Sequence, residues 1–335
     1  MYPNPQILLT HQEALPLFQK NPEWFVGALA PDAVRCAEWS KTLSDIPVGL
    51  PLDCPEWIDT EEPLATLQYI RLCKKQFRPL LYRKAAFYYL RRAGHFTALR
   101  AAVLALGDLS GKTVMAELSI DAEGCLPDGT DILAAVGVLQ RIGVTAIVFT
   151  ASDPTALTEA LEITVPHARL SIGIQMCIEW LQAQVPTYNA EFFLPADEKE
   201  NELIPAIEQY AAAYFLEREH NDLILAPDGK NAHFVSPTID ISDEIECGPR
   251  LEEAVLQAEE DTGALKLLLE TEDDIIALET YGYIISRPVC LCASSVELLE
   301  EGLRVYPGLA LYDGTWEQPE EIVKYWEQKY GLIRL

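Results

Sequence analysis

The sequence predicts an α/β fold, and within that class a β/α barrel of the TIM type. Three observations lead there. Short β-rich runs alternate with amphipathic stretches at the spacing of parallel βαβ units. Right-handed crossovers then leave a doubly wound sheet or a closed barrel. A doubly wound nucleotide binder needs a glycine-rich first turn, and no such turn follows a strand here.

The elements follow in order. The first 45 residues, with their early prolines, give no clear pattern. Phe87–Leu90 reads as a strand. Phe96–Leu106 reads as a helix with Leu99, Val103 and Leu106 on one face. Thr113–Leu118 is the next strand, and Asp131–Ile142 the next helix, with Ile132, Val136 and Leu139 at helical spacing. Gly143 ends that helix. Val144–Phe149 is a run apolar but for Thr145, as in a strand buried on both faces. Asp153 caps a helix that starts at Pro154. Leu170–Met176 is a further strand.

From 177 to 240 the rhythm loosens around Pro186, Pro195, Pro205, Pro227 and Pro237. A helix is expected over Leu203–Leu216, and short strands over Asp222–Ala226 and His233–Ser236. Alternation then resumes. Helices are expected over Leu251–Glu260, Asp273–Leu278, Val296–Val305 and Pro319–Tyr330. Strands are expected over Leu265–Leu269, Val289–Cys292 and Leu309–Leu311.

Composition narrows the function classes. The chain has 335 residues, 49% of them hydrophobic, which is enough for a large core. It carries 25 Lys and Arg against 52 Asp and Glu, a formal charge of −27. Such a surface repels nucleic-acid backbones and anionic lipid. Small-molecule ligands or a protein partner remain. The eight cysteines are scattered with no CxxC pair, the N-terminus shows no signal-like segment, and no apolar run is long enough to span a bilayer. A reducing, cytoplasmic location is expected.

The run from Ala98 to Pro154 resembles the homocysteine S-methyltransferase barrel, as found at the front of cobalamin-dependent methionine synthase. It has a small-residue helix face (Leu99-Arg100-Ala101-Ala102-Val103), a strand, and a D-x-x-G-x-x-x-x-G-T loop at Asp121, Gly124, Gly129 and Thr130. Phe234–Trp316 resembles the start of the folate-binding module that follows in that enzyme. The similarity runs through Phe234-Val235-Ser236-Pro237, Ala254–Leu269, Pro288–Ser295 and Leu298–Asp313. The resemblance implies a homocysteine-methyltransferase-like region over 1–235 and a pterin-module-like region over 236–335. It also implies one-carbon chemistry at a zinc site. Each region shows too few strands for a barrel of its own. The two are therefore expected to be incomplete modules merged in one closed or nearly closed barrel.

The departures bear on chemistry. The resemblance implies a thiolate-rich zinc site that binds homocysteine sulfur. Its first cysteine falls at Ala151, and the Gly-Gly-Cys-Cys run that would supply the others is absent. The family's Glu-Thr falls at Arg91-Arg92. The folate module's Asp-Val-Asn falls at Leu268-Leu269-Glu270 and the Asp of its Asp-Ser-Ser at Cys292, leaving Asp313 as the polar remnant. Zinc is thus the cofactor the resemblance implies and the ligands do not supply. The alternative is a non-catalytic pseudoenzyme that binds a ligand or partner.

Other candidates come from the residues. Glu117 lies inside a strand, so it points into the barrel or lies near its mouth, as a general base with a raised pKa or as an arginine's structural partner. Arg91 and Arg92, with His95, form a basic group able to hold an anionic substrate. Asp121 and Asp313 are candidate binding residues. Cys290 and Cys292, with Cys177, offer a soft-metal site, against the plainer reading of buried core thiols. Gly107–Thr113 resembles a phosphate-binding loop. It is one residue short and lies between helix and strand, so it reads as a turn.

Overall fold

The computed structural model describes residues 6–10, 15–56, 65–176, 190–195, 223–248, 250–258 and 262–335. Eight parallel strands close a barrel: β1 (Gln6–Leu9), β2 (Phe25–Leu29), β3 (Val48–Asp53), β4 (Phe87–Arg91), β5 (Thr113–Ile120), β6 (Val144–Ala151), β7 (Ser171–Met176) and β8 (Phe192–Pro195). Helices α1 (Leu15–Lys20), α2 (Ala33–Thr42), α3 (Ala65–Phe77), α4 (Phe96–Leu109), α5 (Ile132–Arg141) and α6 (Pro154–Thr164) alternate with the strands. The α/β barrel expected from the sequence is the fold.

The barrel closes where β8 pairs with β1, Phe192 opposite Gln6 and Phe193 opposite Ile7. Strand alternation sends one set of side chains inward. Leu8, Leu29, Phe87, Tyr89, Met115, Ala146, Val148, Phe192 and Leu194 fill the interior as a cluster apart from the outer core. Two glycines make room for the largest of them. A Cβ at Gly49 would sit 2.3 Å from the Phe87 ring, and one at Gly173 2.3 Å from the Phe192 ring. The interior is a packed core, not a pore.

After a two-stranded hairpin of β9 (Ile224–Leu225) and β10 (Phe234–Val235), a second parallel sheet forms. Its strands are β11 (Ile241–Glu246), β12 (Ala264–Leu269), β13 (Val289–Ala293), β14 (Leu311–Tyr312) and β15 (Ile333–Arg334), in chain order. They alternate with α7 (Leu251–Ala258), α8 (Glu272–Tyr281), α9 (Val296–Val305) and α10 (Glu320–Lys329). Sequential order is what repeated right-handed crossovers give, with the helices on one face. A merger of the two regions into one barrel is therefore overturned. Residues 6–195 complete eight strands alone, and among the described residues the five later strands pair with one another and not with the barrel. The opening and closing strands escaped notice because each is four residues long. The expected helix over Leu203–Leu216 lies outside the described residues.

The two sheets meet through their helices: α9 packs on α3, and α10 on α5. At the centre of this contact lies Arg100 of α4, 1% exposed. Its guanidinium donates to the carbonyls of Arg304 (2.8 Å) and Leu303 (2.7 Å), in the last turn of α9. Those carbonyls lack intrahelical donors, and the negative end of the helix dipole favours a cation there. Burial lowers the Arg100 pKa to about 10, opposed by Tyr330 and Tyr306. Around it, Asp108 binds Lys74 of α3 and Lys329 of α10, and the latter contact is 2.9 Å. Glu300 accepts from Arg304 and Tyr330, each at 2.7 Å. Glu279 of α8 accepts from the Thr66 N–H at 2.8 Å, at the start of α3.

The hairpin turn joins both units. Asp228, its side chain fully enclosed, accepts from the Lys230 and Asn231 N–H groups (both 2.7 Å), the Asn231 amide (3.1 Å) and His233 Nε2 (2.9 Å). The Lys230 carbonyl accepts from the Asp131 N–H of the barrel, and the Pro227 carbonyl from the Leu309 N–H of the second unit. Burial alone would raise the Asp228 pKa. The hydrogen bonds from His233, Asn231 and Lys230 outweigh it and hold it below the ordinary value.

Two outcomes are expected. Arg100→Met strands two buried carbonyls and should cost about 3 kcal/mol in urea unfolding. A loss below about 1 kcal/mol would show that the docking does not depend on this cation. Asp228 has a depressed folded pKa, so its stabilisation is full above the unfolded value of about 4 and is lost as pH falls through the folded one. The stability gap between wild type and Asp228→Asn should be constant at neutral pH and shrink in acid below about pH 4. A gap that widens in acid would overturn the assignment.

Candidate functional site

In β/α barrels, groups at the C-terminal strand ends face the site. On the β3–β6 side of this barrel those ends carry a connected polar group. Glu117 follows Met115 on β5, one layer above the apolar interior. Its Oε2 accepts from the Tyr89 hydroxyl of β4 at 2.9 Å, and its Oε1 from the Arg92 N–H at 3.2 Å. Tyr89 is 2% exposed. Burial, and then the charge of Glu117, push its pKa well above the ordinary value, so the phenol stays a donor. No arginine side chain contacts Glu117 among the described residues. The arginine-paired reading is thereby corrected, because both neighbouring arginines turn to Asp53.

Asp53 ends β3. It accepts from Arg91 Nε at 2.5 Å through Oδ1 and from Arg92 Nη1 at 3.2 Å through Oδ2. Adjacent residues of a strand normally point to opposite faces. Arg92 breaks that rule because its backbone is left-handed, with φ 59°. This conformation costs a non-glycine residue about 1–3 kcal/mol and recurs at functional sites. It brings both guanidiniums onto one carboxylate and aims the Arg92 N–H at Glu117. Next along β5 and β6, the Thr150 hydroxyl donates to Ser119 at 3.1 Å. Thr10, just after β1, has a buried hydroxyl with no partner among the described residues. Behind Glu117 a crevice of about 10 Å³, with room for about one water, is lined by Gly94, His95, Ser119 and Pro127.

Arg91, Arg92 and Glu117 are thus brought together. Asp53, Tyr89, Ser119 and Thr150 join them, and the sequence did not single them out for a site. Asp53 lies before Phe87, where the sequence reading assigned no strand. Tyr89 read as core, which it also is.

The other candidates fall elsewhere. Asp121 accepts from the Glu123 N–H (3.0 Å) and the Cys125 N–H (2.9 Å), folding its own loop. Gly124 and Gly129 take φ 79° and 78° in that loop, so the spaced glycines answer to turn geometry. Asp128 accepts from the Phe96 N–H at 2.5 Å and so caps α4 beside His95. Gly107–Leu109 ends α4 and is not a phosphate loop, since Asp108 is held by lysines. Asp313 binds Lys266 at 2.9 Å in the second unit, with Thr315 2.7 Å from the same ammonium. Burial would raise the Asp313 pKa, but Lys266 and Thr315 hold it down.

Cys290 and Cys292 sit on one face of β13, 0% and 1% exposed. Burial pushes their pKa values up to about 12 and about 11. The Cys292 thiol lies 3.4 Å from the Leu267 carbonyl. Cys177 lies outside the described residues. Among those described, no group of three His, Cys, Asp or Glu side chains is arranged to hold a metal. Ala151 ends β6, where the resemblance expects a cysteine ligand. Cys36, Cys54 and Cys73 belong to the outer core, not the interior. Among the described residues the side chains do not fit zinc.

A second opening, a cleft of about 940 Å³, lies between the units and is lined by Thr97, Asp128, Asp228, Lys230, Glu279 and Tyr283. Its three carboxylates each accept from helix or turn N–H groups, which gives each a structural role. Among the described residues no helix is long and apolar enough to cross a membrane.

No protein-family model matches this chain, and no curated protein does. Among solved structures, it is similar to orotidine 5'-monophosphate decarboxylase from Methanocaldococcus jannaschii complexed with the inhibitor BMP. The identity is 12% and the TM-score 0.41, over 62% of this chain and 99% of that one. It is also similar to the apo form of the homocysteine methyltransferase MmuM from Escherichia coli. There the identity is 14% and the TM-score 0.42, over 62% of this chain and 95% of that one. At such identity a likeness says nothing of a site.

Proposed function

We propose that this chain is a degenerate relative of the homocysteine S-methyltransferase barrels that binds a small polar molecule of the homocysteine type and does not transfer methyl groups through zinc. The observation that carries the reading is the chemistry of the barrel mouth. Where the resemblance calls for soft thiolate ligands, the strand ends offer Asp53, Arg91, Arg92, Tyr89, Glu117, Ser119 and Thr150, with Ala151 at the end of β6. Those are hydrogen-bonding and ionic groups, suited to orienting a small polar ligand. Thiolate activation by a metal has no ligand set among the described residues.

Glu117 would accept from the ligand. Tyr89 and the Arg92 N–H fix the carboxylate from two sides, so its orientation does not depend on the ligand. Preorganisation of this kind reduces the ordering cost of binding.

Two measurements test the reading. After exposure to zinc and desalting, the protein should hold substoichiometric metal and should not methylate homocysteine from methylcobalamin or methyltetrahydrofolate. Turnover that disappears on chelation would overturn the proposal. By calorimetry without added metal, homocysteine should bind wild type about tenfold more tightly than Glu117→Gln, a difference of about 1.4 kcal/mol. Equal affinity would remove Glu117 from the site.

A further inference from the structure

Two guanidiniums share one carboxylate at the barrel mouth. Arg91 contributes its Nε to Asp53, and Arg92 its Nη1. Each guanidinium has five N–H donors, so most of their donors are not spent on Asp53. The formal charge of the trio is one net positive unit, balanced by the neighbouring Glu117, in a chain of net charge −27. The Arg92 side chain is 70% exposed, that of Asp53 44% and that of Arg91 34%, so the trio is open to solvent.

The geometry is built. Asp53 and Arg91 are paired residues of neighbouring strands. Arg92 reaches the same carboxylate only because its backbone turns left-handed, and that turn also gives its N–H to Glu117. One backbone conformation therefore sets both the basic pair and the acceptor beside it. A surface ion pair alone would not require a strained non-glycine residue.

We infer that Arg91, Asp53 and Arg92 form an anion clamp that takes the carboxylate or phosphate group of a small ligand at the barrel mouth. The inference rests on the barrel-mouth reading above and assigns the ligand's charged end. Asp53 aligns the two guanidiniums in the free protein, and the planar forks match a two-oxygen anion. Glu117, fixed by the same backbone turn, takes a donor group of the same molecule.

The test uses the full chain, with inorganic phosphate and malonate as separate probes. Binding is read from the arginine Nε–H resonances and by calorimetry at low ionic strength. One probe should shift the Arg91 and Arg92 signals with one-to-one stoichiometry, and the tighter of the two names phosphate or carboxylate as the group recognised. Arg92→Gly keeps the left-handed backbone and the N–H to Glu117 but removes the guanidinium. It should bind at least about tenfold more weakly, with an unchanged or higher melting temperature. Absence of binding by both probes, or equal affinity in Arg92→Gly, would overturn the clamp. Homocysteine binding that survives in Arg92→Gly would leave the barrel-mouth reading standing without it.

Discussion

The arrangement of the chain depends on one buried cation. Arg100 stands on a helix of the barrel and ends a helix of the second unit by bonding its last free carbonyls. A guanidinium has no acceptor, so it satisfies carbonyls without leaving a lone pair unmet. Its burial is costly unless a negative partner is near. The partner here is the C-terminal end of α9 and not a carboxylate. The surrounding pairs, Asp108 with two lysines and Glu300 with Arg304, are more exposed and weaker individually. They tie α4 to α3 and α10, and α10 to α9. The five-stranded sheet is thus held from its helical side and contributes no strand to the barrel.

With the second sheet docked on the outer helices, the barrel mouth is left to the strand ends. Its chemistry follows from two-residue alternation. Phe87 and Tyr89 face inward on β4, and Met115 likewise on β5. The next inward positions, Arg91 and Glu117, come just where the apolar layers stop. Arg92 would by alternation face the helices, where a guanidinium has no place among Ala and Leu side chains. The left-handed turn removes that conflict by bringing Arg92 back over Asp53.

Much of this was legible in the sequence. The core elements from Phe87 to Met176 are long or strongly periodic, and they stand where the pattern placed them. Glu117 could be picked out because a carboxylate interrupts an apolar strand. The barrel's first and last strands were not legible. QILL and FFLP are four-residue apolar runs, too short to show a period. The completeness of the first barrel was missed for the same reason, since a strand count taken without them suggested two partial barrels merged into one. The cysteines misled differently. Alternation correctly puts Cys290 and Cys292 on one face, but spacing does not reveal that the face is sealed. Asp121 and its glycines matched a family motif, although here the Asp side chain is consumed in folding the loop.

The chain's acidity and its basic pair at the mouth bear on the size of molecule the mouth accepts. At physiological salt, charges separated by more than about 8 Å are largely screened. A small anion at Arg91 and Arg92 therefore feels mainly those two cations, Asp53 and Glu117, and is held by the unspent guanidinium donors rather than by net charge. A polyanion extends past that distance and meets the acidic surface, where each further charge is repelled. Local attraction within general repulsion selects by length as well as by charge. Attraction confined to the mouth leaves room for a single carboxylate or phosphate there. It requires the cations to be fixed rather than mobile, because a swinging guanidinium would find carboxylates elsewhere on so acidic a surface. Asp53 supplies that fixing: it neutralises one charge and holds both side chains over the barrel.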